Sequence, residues 1–340
     1  MSSQYLNPSE AARRLGVSAK ALRLYEQRGL VAPVRTAAGW RAYGPDEMAR
    51  AGEIAALRAL GLSLAQTARV LGGDPQGLAP ALAAHQASLE GRVRQLADTV
   101  QRVAGLRADL ARGKAPAEGE LARLLEPELS VAFDLPWPWG GERFELRDIG
   151  PITYIIGSLG SGKTRLAMRL AETLPDAGFL PLDRAADGGV AARARLEADP
   201  ALRGRVDQAL AWLAEDGAVE SDALLVLLAA LEAEAPAVLV VDMVEQGLDE
   251  PTQEALVAHL RRRGAGARPL FLMTRSCAVL DLAAVGPDEA ILLCPANHAP
   301  PTRVAPYPGA PGYEAVATCL ASPEVRARTE GLIAVRYPAA

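Results

Sequence analysis

The residues best suited to chemistry lie in "YIIGSLGSGKTRL", Tyr154 to Leu166. Gly157, Gly160, Ser161, Gly162, Lys163 and Thr164 have the spacing Gly157-x4-Gly162-Lys163-Thr164. Glycines let successive backbone N–H groups turn inward around phosphate oxygens at the start of a helix, where the helix dipole adds to the attraction. Lys163 is placed to bridge the terminal phosphates of a nucleotide, and Thr164 to offer its hydroxyl to magnesium. Only three lysines, Lys20, Lys114 and Lys163, occur among 36 basic residues. A lysine at this position stands out against so arginine-rich a background.

A second candidate element follows in "AVLVVDMVEQGLDEPTQEAL", Ala237 to Leu256. The apolar run reads as a buried strand ending in Asp242, a candidate magnesium-linked carboxylate. Met243 follows, where a phosphate-hydrolysing site would want a second carboxylate. Methionine cannot take a proton from water, and general-base catalysis supplies about 10²–10⁴-fold, so slow hydrolysis or none is expected. Glu245, three residues past Asp242, remains as a stand-in base. Trp137 or Trp139 could stack on an adenine, and Asp183 and Arg184 follow an apolar run and could line the site.

Strand, loop and helix must position these groups, and "ITYIIGSLGSGKTRLAMRLAETL" reads as that order. The preceding "ELSVAFDLPWPWGGERFELRDIGP" is expected to give edge strands. At the other end of the chain, "YLNPSEAARRLGVSAKALRLYEQRGLVAP" reads as two short helices. Asn7 and Pro8 start the first, Gly16 breaks it, and Ser18 caps the second. Leu22 and Tyr25 share one side of the second helix, with Lys20, Arg23 and Arg28 near the other. That spacing suits a major-groove helix. "VRTAAGWRAYG" reads as a hairpin wing with its turn near Ala38-Gly39, carrying Arg35, Trp40, Arg41 and Tyr43. Two more helices follow, the last capped by Ser63 and closed by Gly72-Gly73.

The stretch from Tyr5 to about Gly72 resembles the MerR family of transcription regulators, through "GVSAKALRLYEQRGLVAP", "GWRAYG" and "ALRALGLSLAQTARVL" in family order. The resemblance implies a winged helix-turn-helix that binds promoter DNA as a dimer on an inverted repeat and bends or untwists it. Carried over by position, Lys20, Arg23, Tyr25, Arg41 and Tyr43 become DNA contacts. Ser18 at the head of the recognition helix and Arg35 on the wing complete the candidate DNA-binding set.

The later elements resemble the ATP-binding cassette superfamily, including its soluble SMC-like branch. Asp242 and Asp249 match the strand aspartate and the later aspartate that reaches across a dimer. Met243 stands where the family has its glutamate, and Arg275 where it has a histidine that contacts the γ-phosphate, so the resemblance leaves Arg275 as a second stand-in, a charge stabilising the γ-phosphate as arginine does at other phosphoryl-transfer sites. Of the signature element, Ser221 alone is recognisable in "AVESDAL". The cradle is intact while three parts that act on the γ-phosphate are altered.

Between the two regions, Leu82, Leu89, Leu96, Val103 and Leu110 recur every seven residues, with Val93 and Val100 on the adjacent edge. The resemblance places a dimerising helix here, so a homodimer through 82–110 is expected. The segment lacks the cysteines of metal-sensing members, His85 reads as a seam or surface residue, and "GKAPAEGE" reads as a linker.

Residues 1–114 carry 16 basic against 9 acidic residues, leaving 20 against 32 for the remainder. A basic front suggests a polyanion partner for that part alone. Cys277, Cys294 and Cys319 are odd in number and widely spaced, which fits neither a disulfide framework nor a CxxC site. No apolar run reaches the roughly 18 residues of a membrane span, and a cytoplasmic protein without membrane partners is expected. The expected fold is multidomain: an all-α winged helix-turn-helix DNA-binding domain over 1–75, a long dimerisation helix and linker start over 76–114, and an α/β P-loop NTPase domain over 115–340. The expected function is a DNA-binding regulator that senses Mg-ATP, or ADP with Mg2+, with slow or no hydrolysis. A DNA-targeted ATPase with DNA-stimulated turnover and a degenerate cassette domain serving as an interaction module are the alternatives.

Overall fold

Residues 5–36, 39–112, 114, 129–264 and 267–321 are described in a computed structural model. The expected linker, apart from Lys114, and the residues beyond 321 lie outside the described residues.

Local signals set the N-terminal elements. Helix α1 (Pro8–Leu15) begins with a reciprocal cap between Asn7 and Glu10 and a proline in the first turn, and Gly16 ends it at φ 67°. Ser18 caps α2 (Ala19–Gln27) by accepting the Ala21 N–H at 3.0 Å. Strands β1 (Val34–Arg35) and β2 (Arg41–Ala42) pair antiparallel as a small wing. Helices α3 (Pro45–Ala59) and α4 (Leu64–Leu71) follow, the latter opened by a Ser63–Gln66 capping box. Ala11, Ala12, Leu22, Tyr25, Tyr43, Ala51 and Ile54 make a continuous buried core among them.

Helix α5 (Leu78–Ala111) runs for 34 residues, about 50 Å at 1.5 Å per residue. Its heptad residues Leu82, Leu89, Leu96 and Leu110 are between 45% and 67% exposed, and Val93 and Val100 are equally open. The seam is therefore not covered by the chain's own second domain.

That domain is built on a six-stranded sheet in the order β10-β9-β5-β8-β7-β6. Strands β5 (Ile152–Gly157), β6 (Ala177–Leu180), β7 (Val238–Val241), β8 (Leu270–Met273) and β9 (Glu289–Cys294) are parallel, and β10 (Thr302–Val304) runs antiparallel on the edge. All six residues of β5 are buried, as expected for a strand covered on both faces. Alternation then sorts side chains: Tyr154, Ile156, Leu239 and Val241 enter one core, and Ile155, Val238, Val240 and Phe271 the other. Helix α6 (Lys163–Thr173) follows β5. Helices α7 (Val190–Ala198), α8 (Pro200–Asp216) and α9 (Asp222–Leu231) form the insertion before β7, with α10 (Glu250–Arg261) after it and α11 (Tyr313–Cys319) near the end.

Strands β3 (Val131–Asp134) and β4 (Arg143–Leu146) are not edge strands of the large sheet; they form a separate antiparallel hairpin. Each buries only alternate residues, and those residues pack with Leu166, Ala167 and Leu170 of α6. A one-sided amphipathic hairpin caps the helix better than it extends a sheet buried on both faces.

The two regions meet at the end of α8. Both oxygens of Asp216 accept from the Arg58 guanidinium, at 2.7 and 2.8 Å, and Oδ1 also accepts the Leu64 N–H. Glu215 beside it accepts from the Ser63 hydroxyl at 2.7 Å and from Arg69. Trp212 donates its indole N–H to the Gly61 carbonyl, and Arg262 lies 4.9 Å from its ring centroid.

Candidate functional site

The glycine-rich loop leaves β5 at the carboxyl end of the parallel strands, where open α/β sheets gather ligands. Backbone geometry explains its glycines. Gly160 and Gly162 have φ of 80° and 90°, and a Cβ on Gly162 would come within 2.6 Å of the Trp139 ring. At Gly157 a Cβ would meet the Cys294 carbonyl and the Ser161 hydroxyl, both at 2.5 Å. Trp139 is thus a wall of the loop, fixed by an indole N–H bond to the Ala299 carbonyl at 3.0 Å. This corrects the expectation that it could stack on a base. Trp137, 66% exposed, is the tryptophan still open for stacking.

Lys163 is 8% exposed. Its ammonium donates to the loop's own Gly157 and Ser158 carbonyls at 2.8 and 2.7 Å, and among the described residues no carboxylate forms an ion pair with it. Burial, reinforced by the Arg275 charge nearby, pushes its pKa below that of a free lysine. The Ser161 hydroxyl is buried in the loop without a hydrogen-bond partner. Thr164 is exposed in the first turn of α6.

Asp242 follows the last residue of β7, with only β8 between that strand and β5. Burial raises its pKa against the pull of Arg184 and Lys163. Met243 adopts φ 43°, a left-handed backbone that costs a non-glycine residue about 1–3 kcal/mol. Arg184 stabilises that turn: its guanidinium donates to the carbonyls of Asp242, Met243 and Val244 at 2.8, 3.1 and 3.1 Å. It acts as a clamp on the chain behind Asp242, whereas Asp183 is exposed.

Glu245 does not hold the position of a water-activating base. It is 2% exposed, and its Oε1 accepts the Arg275 N–H at 2.9 Å. Asp249 and Ser221 are helix caps, accepting the N–H groups of Thr252 and Leu224. Sequence reasoning missed His298, whose Nε2 lies 3.1 Å from the Gly160 carbonyl. It sits 138 positions along the chain, and only the β9–β10 connection brings it to the loop.

At the end expected to read DNA, Lys20 in the first turn of α2 does not point freely to solvent. It makes ion pairs with Glu254 at 2.6 Å and Glu250 at 3.2 Å, both on α10. Arg23 is exposed. Arg35 and Arg41 of the wing converge on Glu26 of α2. Ser18 is 5% exposed, its hydroxyl spent on the cap. Tyr25 and Tyr43, expected as DNA contacts, are 4% and 0% exposed core residues. Their rings fill the space between α1, α2 and α3 and cannot reach a duplex without unpacking it. The acidic partners Glu215, Asp216, Glu250 and Glu254 were not singled out in the sequence. The one signal was the acidic excess of the back half, with Glu250 and Glu254 four residues apart on one helical face.

Residues 6–73 match the MerR HTH family regulatory proteins. A probable heavy metal-dependent transcriptional regulator of Haemophilus influenzae is 36% identical over 105 residues, which cover 29% of this chain and 82% of that protein. The chain belongs to the MerR family. A second MerR-type relative, the HTH-type transcriptional regulator HmrR of Sinorhizobium medicae, is 42% identical over 67 residues, 19% of this chain and 46% of that protein. Among solved structures, HiNmlR, a MerR family regulator lacking the sensor domain and bound to promoter DNA, aligns with 33% of this chain and 92% of its own, at 21% identity and a TM-score of 0.24. A bacterial Atm1-family ABC exporter with ATP bound aligns with 52% of this chain and 42% of its own, at 16% identity and a TM-score of 0.33. Among the described residues no helix is long and apolar enough to cross a membrane, and no group of three or more His, Cys, Asp or Glu could hold a metal ion.

Proposed function

We propose that this MerR-family regulator binds Mg-ATP at the glycine-rich loop of its second domain and uses occupancy of that loop to set the state of its DNA reader. Hydrolysis is slow or absent. The observation that carries the proposal is Lys163, a buried ammonium whose hydrogen bonds among the described residues go to the carbonyls of its own loop. Burying a cation is costly; the N-terminus of α6 and Arg275 add further positive potential around it, which the attraction of Asp242 offsets without forming an ion pair among the described residues. A polyphosphate would add the negative charge that meets the ammonium directly.

The residues fit such a ligand. Gly157, Gly160, Ser161, Gly162 and Lys163 would hold the phosphates, while Thr164 and Asp242 would hold magnesium. The bound ion would neutralise phosphate charge and relieve the cost of burying Asp242. Met243 and the buried Glu245 leave no solvent-exposed carboxylate directly behind Asp242 to activate water, which favours a sensor over a motor. The exposed seam of α5 supports a homodimer that would present two readers to an inverted repeat in a promoter.

Thermal unfolding with and without Mg-ATP, run beside a phosphate-release assay, tests the reading. The wild-type midpoint is expected to rise by several degrees, since ligand at 100 times its Kd adds about 2.7 kcal/mol. Lys163→Ala should show no rise. The proposal fails if nucleotide leaves the wild-type midpoint unchanged, and brisk phosphate release abolished by Lys163→Ala would favour the ATPase alternative.

A further inference from the structure

We infer that the second domain holds the DNA reader shut, with Glu250 and Glu254 of α10 standing in for DNA phosphates on Lys20 of the recognition helix. Residues near the N-terminus of a recognition helix are the ones that meet base edges and flanking phosphates. In this chain that end of α2 faces protein. Lys20 spans to both carboxylates at 3.2 and 2.6 Å. Beside it, Ser18 and Ala19 form one wall of a cleft of about 360 Å³ whose other wall is Cys277, Leu282 and Ala317 of the second domain. A duplex cannot occupy the same end of α2 while α10 is there. Two carboxylates facing the reading surface would also repel phosphates.

The arrangement is held from a second direction. Arg28, at the end of the same helix, donates to the Asp216 backbone carbonyl at 3.2 Å, and Asp216 engages Arg58 of α3. Both ends of the reading helix therefore contact the second domain. The two contacts differ in kind: Asp216 is a buried anchor, whereas side chains in the Lys20 cluster are between 22% and 40% exposed. Exposed pairs of this type are weak and salt-sensitive, as a releasable latch must be. Helix α10 begins directly after Asp249, on the segment that also carries Asp242, so a change at the phosphate loop has a short path to the latch. The inference rests on the DNA-reading role of α2 and holds whether or not nucleotide binds.

Neutralising the latch without adding positive charge tests it. Glu250→Gln/Glu254→Gln is compared with wild type and with Glu145→Gln/Glu172→Gln, which removes two carboxylates from exposed pairs elsewhere in the second domain. A labelled 30-base-pair duplex of mixed sequence, titrated in low salt and followed by anisotropy, reads access to the DNA surface. The latch double variant is expected to bind about 3- to 10-fold more tightly than wild type, because apparent affinity scales with the open fraction, and the control to stay within about 2-fold of wild type. Lysine acetylation read by mass spectrometry is the second arm, since the chain has only three lysines. Lys20 should be labelled more slowly than Lys114 in wild type and catch up with it in the latch variant. Equal duplex affinity and equal Lys20 labelling in wild type and latch variant would overturn the inference. Faster Lys20 labelling with no duplex binding by either protein would instead overturn the DNA-reading role of α2.

Discussion

Asp216 shows how much one buried side chain can organise. Its side chain is 2% exposed, yet it satisfies two guanidinium N–H groups of Arg58 and the backbone N–H of Leu64. Asp216→Ala removes the carboxylate partner of Arg58, which keeps its bond to the Leu62 carbonyl, and leaves the Leu64 N–H without its acceptor. Breaking a buried pair on one side costs about 3–5 kcal/mol, so a fall of that order is expected in urea unfolding monitored at Trp212. An unchanged midpoint would mean that the joint is not formed in solution. Gly162 makes the corresponding point for the loop. Alanine there adds left-handed strain of about 1–3 kcal/mol and drives a methyl group into the Trp139 ring. Gly162→Ala is expected to lower the thermal midpoint and to remove any Mg-ATP shift, whereas Gly204→Ala, in the middle of α8 with open space around its Cα, should not destabilise the chain.

At the scale of elements, α9 and α10 are joined where Glu232, at the end of α9, meets His259 at 2.9 Å. Burial raises the Glu232 pKa, but the His259 hydrogen bond and charge outweigh it, and the carboxyl lies below its ordinary 4.5. A depressed carboxylate stabilises the fold above its unfolded pKa, and the contribution is lost as pH falls through the lower, folded value. Glu232→Gln should therefore lower the thermal midpoint at pH 6, and by progressively less as pH falls below 4.5; an effect that does not shrink on acidification would exclude the ionic contribution. Helix α5 carries a different lesson. Its heptads predict a long helix, and one forms, but the seam is left open by the single chain.

The whole molecule is a reader, an uncovered helix and a sheet domain folded back on the reader. An apolar stripe about four heptads long demands a partner, and the expected partner is a second copy. Leu89→Asp/Leu96→Asp should convert a dimer into a monomer in light scattering while leaving the thermal transition of the second domain in place. A wild-type monomer at tens of micromolar would refute it. Coupling between the two ends is the other global expectation. If Mg-ATP changes DNA affinity by some factor, DNA must change ATP affinity by the same factor, and calorimetric titration with and without duplex would check this.

Local chemistry alone determined much of this chain. Asn7, Ser18 and Ser63 announce helix starts because a short side chain caps an orphan N–H wherever it falls, and Gly157, Gly160 and Gly162 announce a turn that side chains would block. The motifs between Tyr5 and about Gly72 carry the resemblance to MerR, which the family match over residues 6–73 bears out, and the strand, loop and helix around Lys163 could be laid out in order. Tertiary structure decided which side chains are available. Tyr25 and Tyr43 share the recognition region with Lys20 and Arg23 but face the core. The β3–β4 hairpin has strand alternation but joins no larger sheet, because its one apolar face finds α6. Lys20 looks free in sequence until α10, more than 200 residues away, brings two carboxylates to it. Caps and turns are set by neighbours in the chain, whereas burial and ion pairing depend on what long-range folding places opposite each residue.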